Sequence, residues 1–249
     1  LAEINEALDR IAERIGKALR QGQARRIEGG GGGATRVQVR QGAAQIKIET
    51  SPVTRGVVHD PELRAVTDAV EDEFGFAEIQ VVSFEDLFGG KLHAAVDRQH
   101  PRDLFDVRLL YENEGLTDAL FQTFLVYVAS SPRPVHELLN PNPVDLDRPY
   151  AQEFEGMTRL PVDLAALTET RTRLIADLRG RLDKQARTFL LGLHDGAPDF
   201  GVIGVPQAAD LPAVRWKLIN LNRLKTDNPA KHAEQRTELE NLFRAHSED

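Results

Sequence analysis

Phe84-Glu85-Asp86-Leu87-Phe88-Gly89-Gly90-Lys91-Leu92-His93-Ala94-Ala95-Val96-Asp97-Arg98 is the stretch from which the rest of the chain is best read. On a helix, Phe84, Leu87, Phe88, Leu92 and Ala95 form an apolar stripe, and Lys91 lies inside it. A lysine there either snorkels, with its stem buried and its ammonium in water, or is a cation held at a cleft to meet an anionic partner. Arg98 lies seven residues on, on the same face, and the small Ala94 and Ala95 let a neighbour approach. That arrangement favours a phosphate-facing edge. His100-Pro101-Arg102-Asp103-Leu104-Phe105-Asp106-Val107-Arg108-Leu109-Leu110-Tyr111 follows after a very short turn. Proline suits the first position of a helix, which puts Asp103 in the first turn, where a carboxylate complements the helix dipole. Asp103 and Asp106 then share a face. Two antiparallel or angled helices bring Lys91, Arg98, Arg102, Asp103 and Asp106 into one mixed-charge cluster, readable as an ion-pair network or as an active-site wall.

Working outward, Leu1, Ile4, Leu8, Ile11, Ile15 and Leu19 predict an amphipathic helix over 1–21, ending near Gly22. The run Gly29 to Gly33 lacks a following Lys-Ser/Thr and does not open a helix, so it reads as a connector and not as a phosphate loop. Val37 and Val39, then Ile46, Ile48 and Val53, give two period-two runs around Gln41-Gly42-Ala43-Ala44, a hairpin signal. A helical segment is expected around Leu63 to Val70 and a third strand over 79–84. Segments 85–97, 101–113, 115–130, 163–193, 208–224 and 229–245 have helical spacing, with the Pro-rich stretch 132–149 between the third and fourth. A small α/β portion therefore leads into a helical portion.

Composition narrows the chemistry. The 249 residues are 41% hydrophobic and 28% charged, as in folded globular chains. With no cysteine, the chain has no disulfide, thiol nucleophile or Cys-ligated zinc, and it suits a reducing cytoplasm. No apolar run approaches ~20 residues, and no basic segment precedes a greasy one, so neither a membrane span nor a signal peptide is expected. The net charge of -8 argues against nucleic-acid binding by the whole surface but leaves room for a local basic patch. Arg171, Arg173, Arg179, Arg181, Lys184 and Arg187 form one such row, with Arg215, Lys217, Arg223 and Lys225 on another segment. These helices either follow a phosphate backbone or are solvated faces paired with Asp177 and Asp183. In Ile46-Lys47-Ile48-Glu49, Lys47 and Glu49 share a face, and Glu49 at the strand end is either a metal ligand or a solvated edge residue.

Lys91-Leu92-x-Ala94 with Arg98, followed by Arg102-Asp103-Leu104-Phe105-Asp106, resembles the second and third motifs of the AbiEii-type nucleotidyltransferase toxins of type IV toxin–antitoxin systems. Ile46-Lys47-Ile48-Glu49 resembles the strand that supplies a third acidic residue in that fold. Arg215 to Leu221 and Asn228 to His232 are similar to a subgroup of the family. The resemblance implies an α+β fold: a partial nucleotidyltransferase mixed sheet in residues 1–113, then a helical domain over 114–249. It implies transfer of nucleotides from an NTP to an RNA acceptor, notably tRNA, in a toxin–antitoxin or phage-defence system with a cognate antitoxin. Mg²⁺ is the implied cofactor, with Glu49 as a catalytic acid that either ligates it or polarises the incoming hydroxyl. Lys91 would contact the triphosphate, Asp103 would orient Lys91 or act at the acceptor, and Arg98, Arg102 and Asp106 would support them. Arg173, Lys184 and Arg187 are the RNA-binding candidates. The family's Gly-Ser turn and Asp-x-Asp pair lie before the segment matching residues 1–21 and are not in this sequence; Asp145-x-Asp147 falls in the Pro-rich stretch. Because the chain starts at Leu1, the expectation is that the catalytic first strands precede it. The alternative is a catalytically silent module that contacts an antitoxin or RNA.

Overall fold

The computed structural model describes residues 2–28, 35–50 and 55–245. The chain divides into two compact units, Leu1–Thr54 and Arg55–Asp249. The expected glycine connector, and Val53 at the end of the second period-two run, lie outside the described residues.

In the first unit, α1 (Ala2–Ala18) packs on a three-stranded antiparallel sheet of order β1 (Gly22–Glu28), β2 (Thr35–Gln41), β3 (Ala44–Glu49). Leu8 and Ala12 bury against Val37 and Val39, inside a ring of Ile4, Ile15, Leu19, Ala24 and Ile48. The period-two reading of β2 and β3 therefore holds, and Gly42, at φ 57°, takes the left-handed conformation that their tight turn requires. Strand β1 was not expected, since Ala24 and Ile27 are its only apolar side chains. Pairing with β2, from Gly22 opposite Gln41 to Glu28 opposite Thr35, makes it a strand. Arg26 also ties it to Asp9 of α1 at 2.8 Å.

The second unit opens with a two-stranded antiparallel hairpin, β4 (Glu62–Ala65) and β5 (Glu78–Val81), enclosing α2 (Asp68–Phe74). The helix expected around Leu63 to Val70 is thus corrected. Residues 62–65 pair with 78–81, the Val66 amide donates to the Ala77 carbonyl at 2.9 Å, and Thr67 stays extended before α2 begins. The remaining helices are α3 (Phe84–Arg98), α4 (Pro101–Asn113), α5 (Asp118–Ala129), α6 (Val135–Leu139), α7 (Asp147–Glu153), α8 (Leu164–Gly180), α9 (Lys184–His194), α10 (Pro212–Asp227) and α11 (Pro229–Ala245). The single segment read over 163–193 is two helices, because Asp183 caps a new one by accepting the Ala186 amide at 2.8 Å. The fold is α+β, and every strand pairing among the described residues is antiparallel, where a mixed sheet was expected.

The α5 sequence is apolar almost all round, which marks a central helix, and Leu120, Phe124, Leu125 and Val128 are fully buried. Helix α3 approaches it through Gly89 and Gly90. A Cβ on Gly89 would stand 3.0 Å from Thr123 Cγ2 and 3.3 Å from Tyr127 Cδ2. One apolar cluster runs from Leu92 and Val96 of α3 through Leu104 and Leu110 of α4 to Leu167 and Leu174 of α8. Residues on both sides of the expected 113/114 boundary share that cluster, and the compact units divide between Thr54 and Arg55. Helices α9 and α11 are joined by a reciprocal clasp, in which the ring nitrogens of His194 and His232 each meet the other residue's carbonyl, at 2.9 and 3.0 Å.

Candidate active site on the α3–α4 hairpin

The start of α3 is anchored by a carboxylate. Ser83 caps the helix by accepting the Asp86 amide at 3.0 Å, and its hydroxyl donates back to Asp86 Oδ2 at 3.0 Å. Asp86 is 2% exposed. It also accepts the Val58 and His59 amides at 2.8 and 2.9 Å and the Tyr127 hydroxyl at 3.2 Å. Burial, reinforced by the Asp86 charge, raises the Tyr127 phenol above its ordinary range. One buried carboxylate thus fixes α3 to α5 and to the segment at 58–59 that precedes β4. Asp86 is not among the residues singled out from the sequence, although Ser83-x-x-Asp86 is a capping pattern that marks it.

The apolar stripe read from the sequence is partly displaced. Leu92 and Ala95 are buried and Phe84 packs on Phe88 at 4.6 Å, but Leu87 is 44% exposed. Lys91 therefore stands at the edge of the stripe. Leu87, Lys91, Ala94 and Arg98, at steps of four, three and four, share the helix face that looks outward beside α4.

Two ion pairs connect this face to α4. Lys91 Nζ meets Asp106 Oδ2, with the two side chains 30% and 33% exposed. Arg98 grips Asp103 through two parallel bonds, Nη2 to Oδ1 at 2.7 Å and Nε to Oδ2 at 3.1 Å. Pairing 98 with 103 and 91 with 106 is the pattern of an antiparallel helix hairpin. Asp103, expected to orient Lys91 or to act at the acceptor, holds Arg98, and it is Asp106 that holds Lys91. The reason is the register, since Asp103 sits in the first turn of α4, opposite the end of α3. Arg102 leaves the cluster and lies 3.7 Å from Glu153, which also meets the His100 ring nitrogen at 3.2 Å.

Beneath the same helix, His93 is 5% exposed and its Nε2 has no hydrogen-bond partner. Burial, aided by the charges of Arg55, Arg98 and Lys217 and opposed by Asp97, pushes its imidazole down to about 4. Lys217 of α10 is 4% exposed and donates to the Arg133 carbonyl at 2.5 Å; burial lowers it to about 8.

The other sequence candidates are dispersed. Glu49 ends β3 in the first unit, largely exposed, with Arg36 at 3.5 Å. Among the described residues, no group of three or more His, Asp or Glu side chains is placed to hold a metal ion, so the donor set in view does not by itself fit one. Asp145 accepts the Asp147 amide at 3.1 Å where α7 begins, a turn role. Of the RNA-binding candidates, Arg173 stacks over Tyr111 at 3.9 Å and lies 3.6 Å from Asp177. Arg187 donates to the Leu182 carbonyl at 2.6 Å, and Lys184 is exposed at the first position of α9. Arg181 is tied to Asp118 at 2.6 Å. Most of this basic row is thus engaged within the protein. No described helix is long and apolar enough to cross a membrane.

Comparison with known proteins adds the family. A model described as "AbiEii: Nucleotidyl transferase AbiEii toxin, Type IV TA system" matches residues 1–220. No curated protein and no solved structure matches the chain. The match spans the α3–α4 hairpin with both of its ion pairs, and the chain belongs to the AbiEii nucleotidyl transferase toxin family of type IV toxin–antitoxin systems.

Proposed function

We propose that the protein transfers a nucleotidyl group from an NTP to an RNA acceptor, a tRNA, and acts in the cytoplasm as the toxin of a toxin–antitoxin or phage-defence system with a cognate antitoxin partner. The observation that carries this reading is the family match over residues 1–220. The α3–α4 hairpin supports it with an ammonium on an outward face whose counter-ion, Asp106, is itself one-third exposed.

In such a transfer an acceptor hydroxyl attacks the α-phosphorus, a new P–O bond forms and pyrophosphate leaves. Lys91 meets the triphosphate as a compact point charge. Arg98, kept in its fork geometry by Asp103, offers a second cation two helical turns away. Asp103 is in this reading a positioning residue for Arg98, and Asp106 one for Lys91; Arg102 lends support through Glu153. Arg173, Lys184 and Arg187 are the proposed RNA contacts, of which Lys184 is the most accessible. Mg²⁺, which the family reading implies, would supply neutralisation of phosphate charge when bound.

The test is incubation of the purified protein with radiolabelled nucleotides, Mg²⁺ and total tRNA. Label should enter RNA, and Lys91→Ala and Asp103→Ala should each abolish incorporation without unfolding the protein. Wild-type rates in both variants would refute the site. A wild-type protein that retains RNA or antitoxin on a column but never transfers label is instead the silent binding module.

A further inference from the structure

The segment from Asp60 to Val82, which forms β4, α2 and β5, has regular structure and no core of its own. None of its side chains is buried, and only Val66 and Val81 are half-buried. A two-stranded sheet is marginal in water unless something packs on it. Here Glu62, Arg64, Ile79 and Val81 lie on one face and Leu63, Ala65, Glu78 and Gln80 on the other, and Leu63 and Ile79 are both exposed, so neither face is covered. On α2, Val70 and Phe74 stand one turn apart on the same side, also exposed. Of the eleven phenylalanines in the chain, nine are buried or half-buried; the two exposed ones, Phe74 at 76% and Phe76 at 64%, are both in this segment. Apolar side chains gathered in this way on a folded surface mark a place where another protein sits.

The charge of the segment decides what that protein brings. Asp60, Glu62, Asp68, Glu71, Asp72, Glu73 and Glu78 are set against Arg64 alone, so these residues carry -6 of the chain's net -8. Arg64 is already taken by Glu62 at 2.9 Å, and among the described residues no ion pair reaches the other six carboxylates. A second copy docking through the same face would set seven carboxylates against seven, and a nucleic-acid backbone or an anionic lipid headgroup is repelled in the same way. A segment with an apolar side and flanking lysines or arginines meets both the rings and the carboxylates.

We propose that residues 60–82 are a docking surface for a cationic amphipathic segment of a protein partner, its apolar side on Phe74 and Phe76 and its cations against Glu71, Asp72 and Glu73. The surface uses none of the residues of the α3–α4 ion pairs and does not depend on the transferase reading.

Calorimetric titration of the protein with a Lys/Leu peptide patterned as an amphipathic helix, with a Lys/Val peptide alternating as a strand, and with oligolysine of equal charge tests it. One of the two amphipathic peptides should bind saturably, at least about tenfold tighter than oligolysine, and more weakly as salt is raised. Phe74→Ser combined with Phe76→Ser should weaken binding at least about tenfold, and so should Glu71→Gln combined with Asp72→Asn and Glu73→Gln. Removing three carboxylates elsewhere, by Glu3→Gln, Glu234→Gln and Glu238→Gln, should leave it unchanged. All of these positions are exposed, so the variants should keep the wild-type fold, which circular dichroism checks. Lys91→Ala should bind the peptides as the wild type does, whatever it does to transfer. Absence of binding by both peptides, equal affinity for oligolysine, or an equal loss when the distant carboxylates are removed overturns the proposal. So does binding to phosphatidylglycerol vesicles in preference to peptide, or a dimer in sedimentation that Phe74→Ser dissociates.

Discussion

Replacing His93 with leucine isolates the cost of keeping an ionisable ring beneath the outward face of α3. The imidazole is 5% exposed and lies near Arg55, Arg98 and Lys217, so protonation must place a charge in a dry, already positive environment. Its folded value of about 4, against 6.5 for an ordinary histidine, means that the native state binds fewer protons than the unfolded chain between those values. The stability tied to neutral His93 is therefore complete above about 6.5 and is lost as pH falls toward 4. At about 1.4 kcal/mol per pH unit, the full loss is about 3 kcal/mol, with about 2 kcal/mol gone by pH 5. Leucine is of similar size, and because Nε2 has no partner its removal strands no buried group. Urea unfolding followed by circular dichroism at pH 7 and pH 5 gives the comparison. The leucine variant should gain about 2 kcal/mol on the wild type between the two conditions. The other titrating groups, including His194, which burial shifts the same way, are common to both proteins and cancel. Equal pH slopes for the two proteins would show that His93 is not held neutral, and the account of α3 packing would fail with it.

Three further outcomes are expected. Gly89→Ala should destabilise the protein by about 1–3 kcal/mol by overpacking against Thr123 and Tyr127; Gly16→Ala, in α1 with nothing within 4 Å, should stabilise its unit by about 0.5–1 kcal/mol, and urea midpoints of both variants check the pair. Lys217→Met should be more stable than the wild type at pH 7, and the gap should narrow as pH rises from about 8 toward 10.5, because the folded lysine sheds its proton earlier than the unfolded one; a constant gap would contradict it. Asp86→Ala removes the acceptor of the Val58, His59 and Tyr127 bonds; a loss of about 3 kcal/mol in denaturant unfolding is expected, with earlier hydrogen exchange at Val58 and His59.

What the sequence disclosed follows the strength of its local signals. The α3 and α4 boundaries were legible to within a residue, because the apolar spacing from Phe84 onward is regular and Pro101 marks a helix start. The cations Lys91 and Arg98 and the carboxylates Asp103 and Asp106 were legible as a set. Their pairing was not, because a three-residue offset along α4 exchanges one partner for the other and only packing sets that offset. The β4 segment, Glu62-Leu63-Arg64-Ala65, has no alternation strong enough to outweigh helical spacing, and its strand character comes from β5 across the turn. The arginines of α8 read as a phosphate-facing row; in the folded protein Arg171 and Arg181 reach distant carbonyls at Val144 and Leu116. No periodicity encodes a contact that spans so much of the chain.

The two ion pairs of the α3–α4 hairpin differ in a way that bears on the proposed transfer. Asp103 is 12% exposed and grips Arg98 with two bonds, a fixed fastening; Lys91 and Asp106 are each about one-third open to water. If Lys91 meets a phosphate as proposed, that phosphate does not find a free ammonium: it competes with Asp106 for one, and when the product departs the carboxylate takes the ammonium back. Binding there would be an exchange of anions whose net gain is only the difference between them. On that proposal, removing Asp106 would strengthen capture and slow release, the carboxylate being a resident competitor that sets the dwell time of a visitor to Lys91.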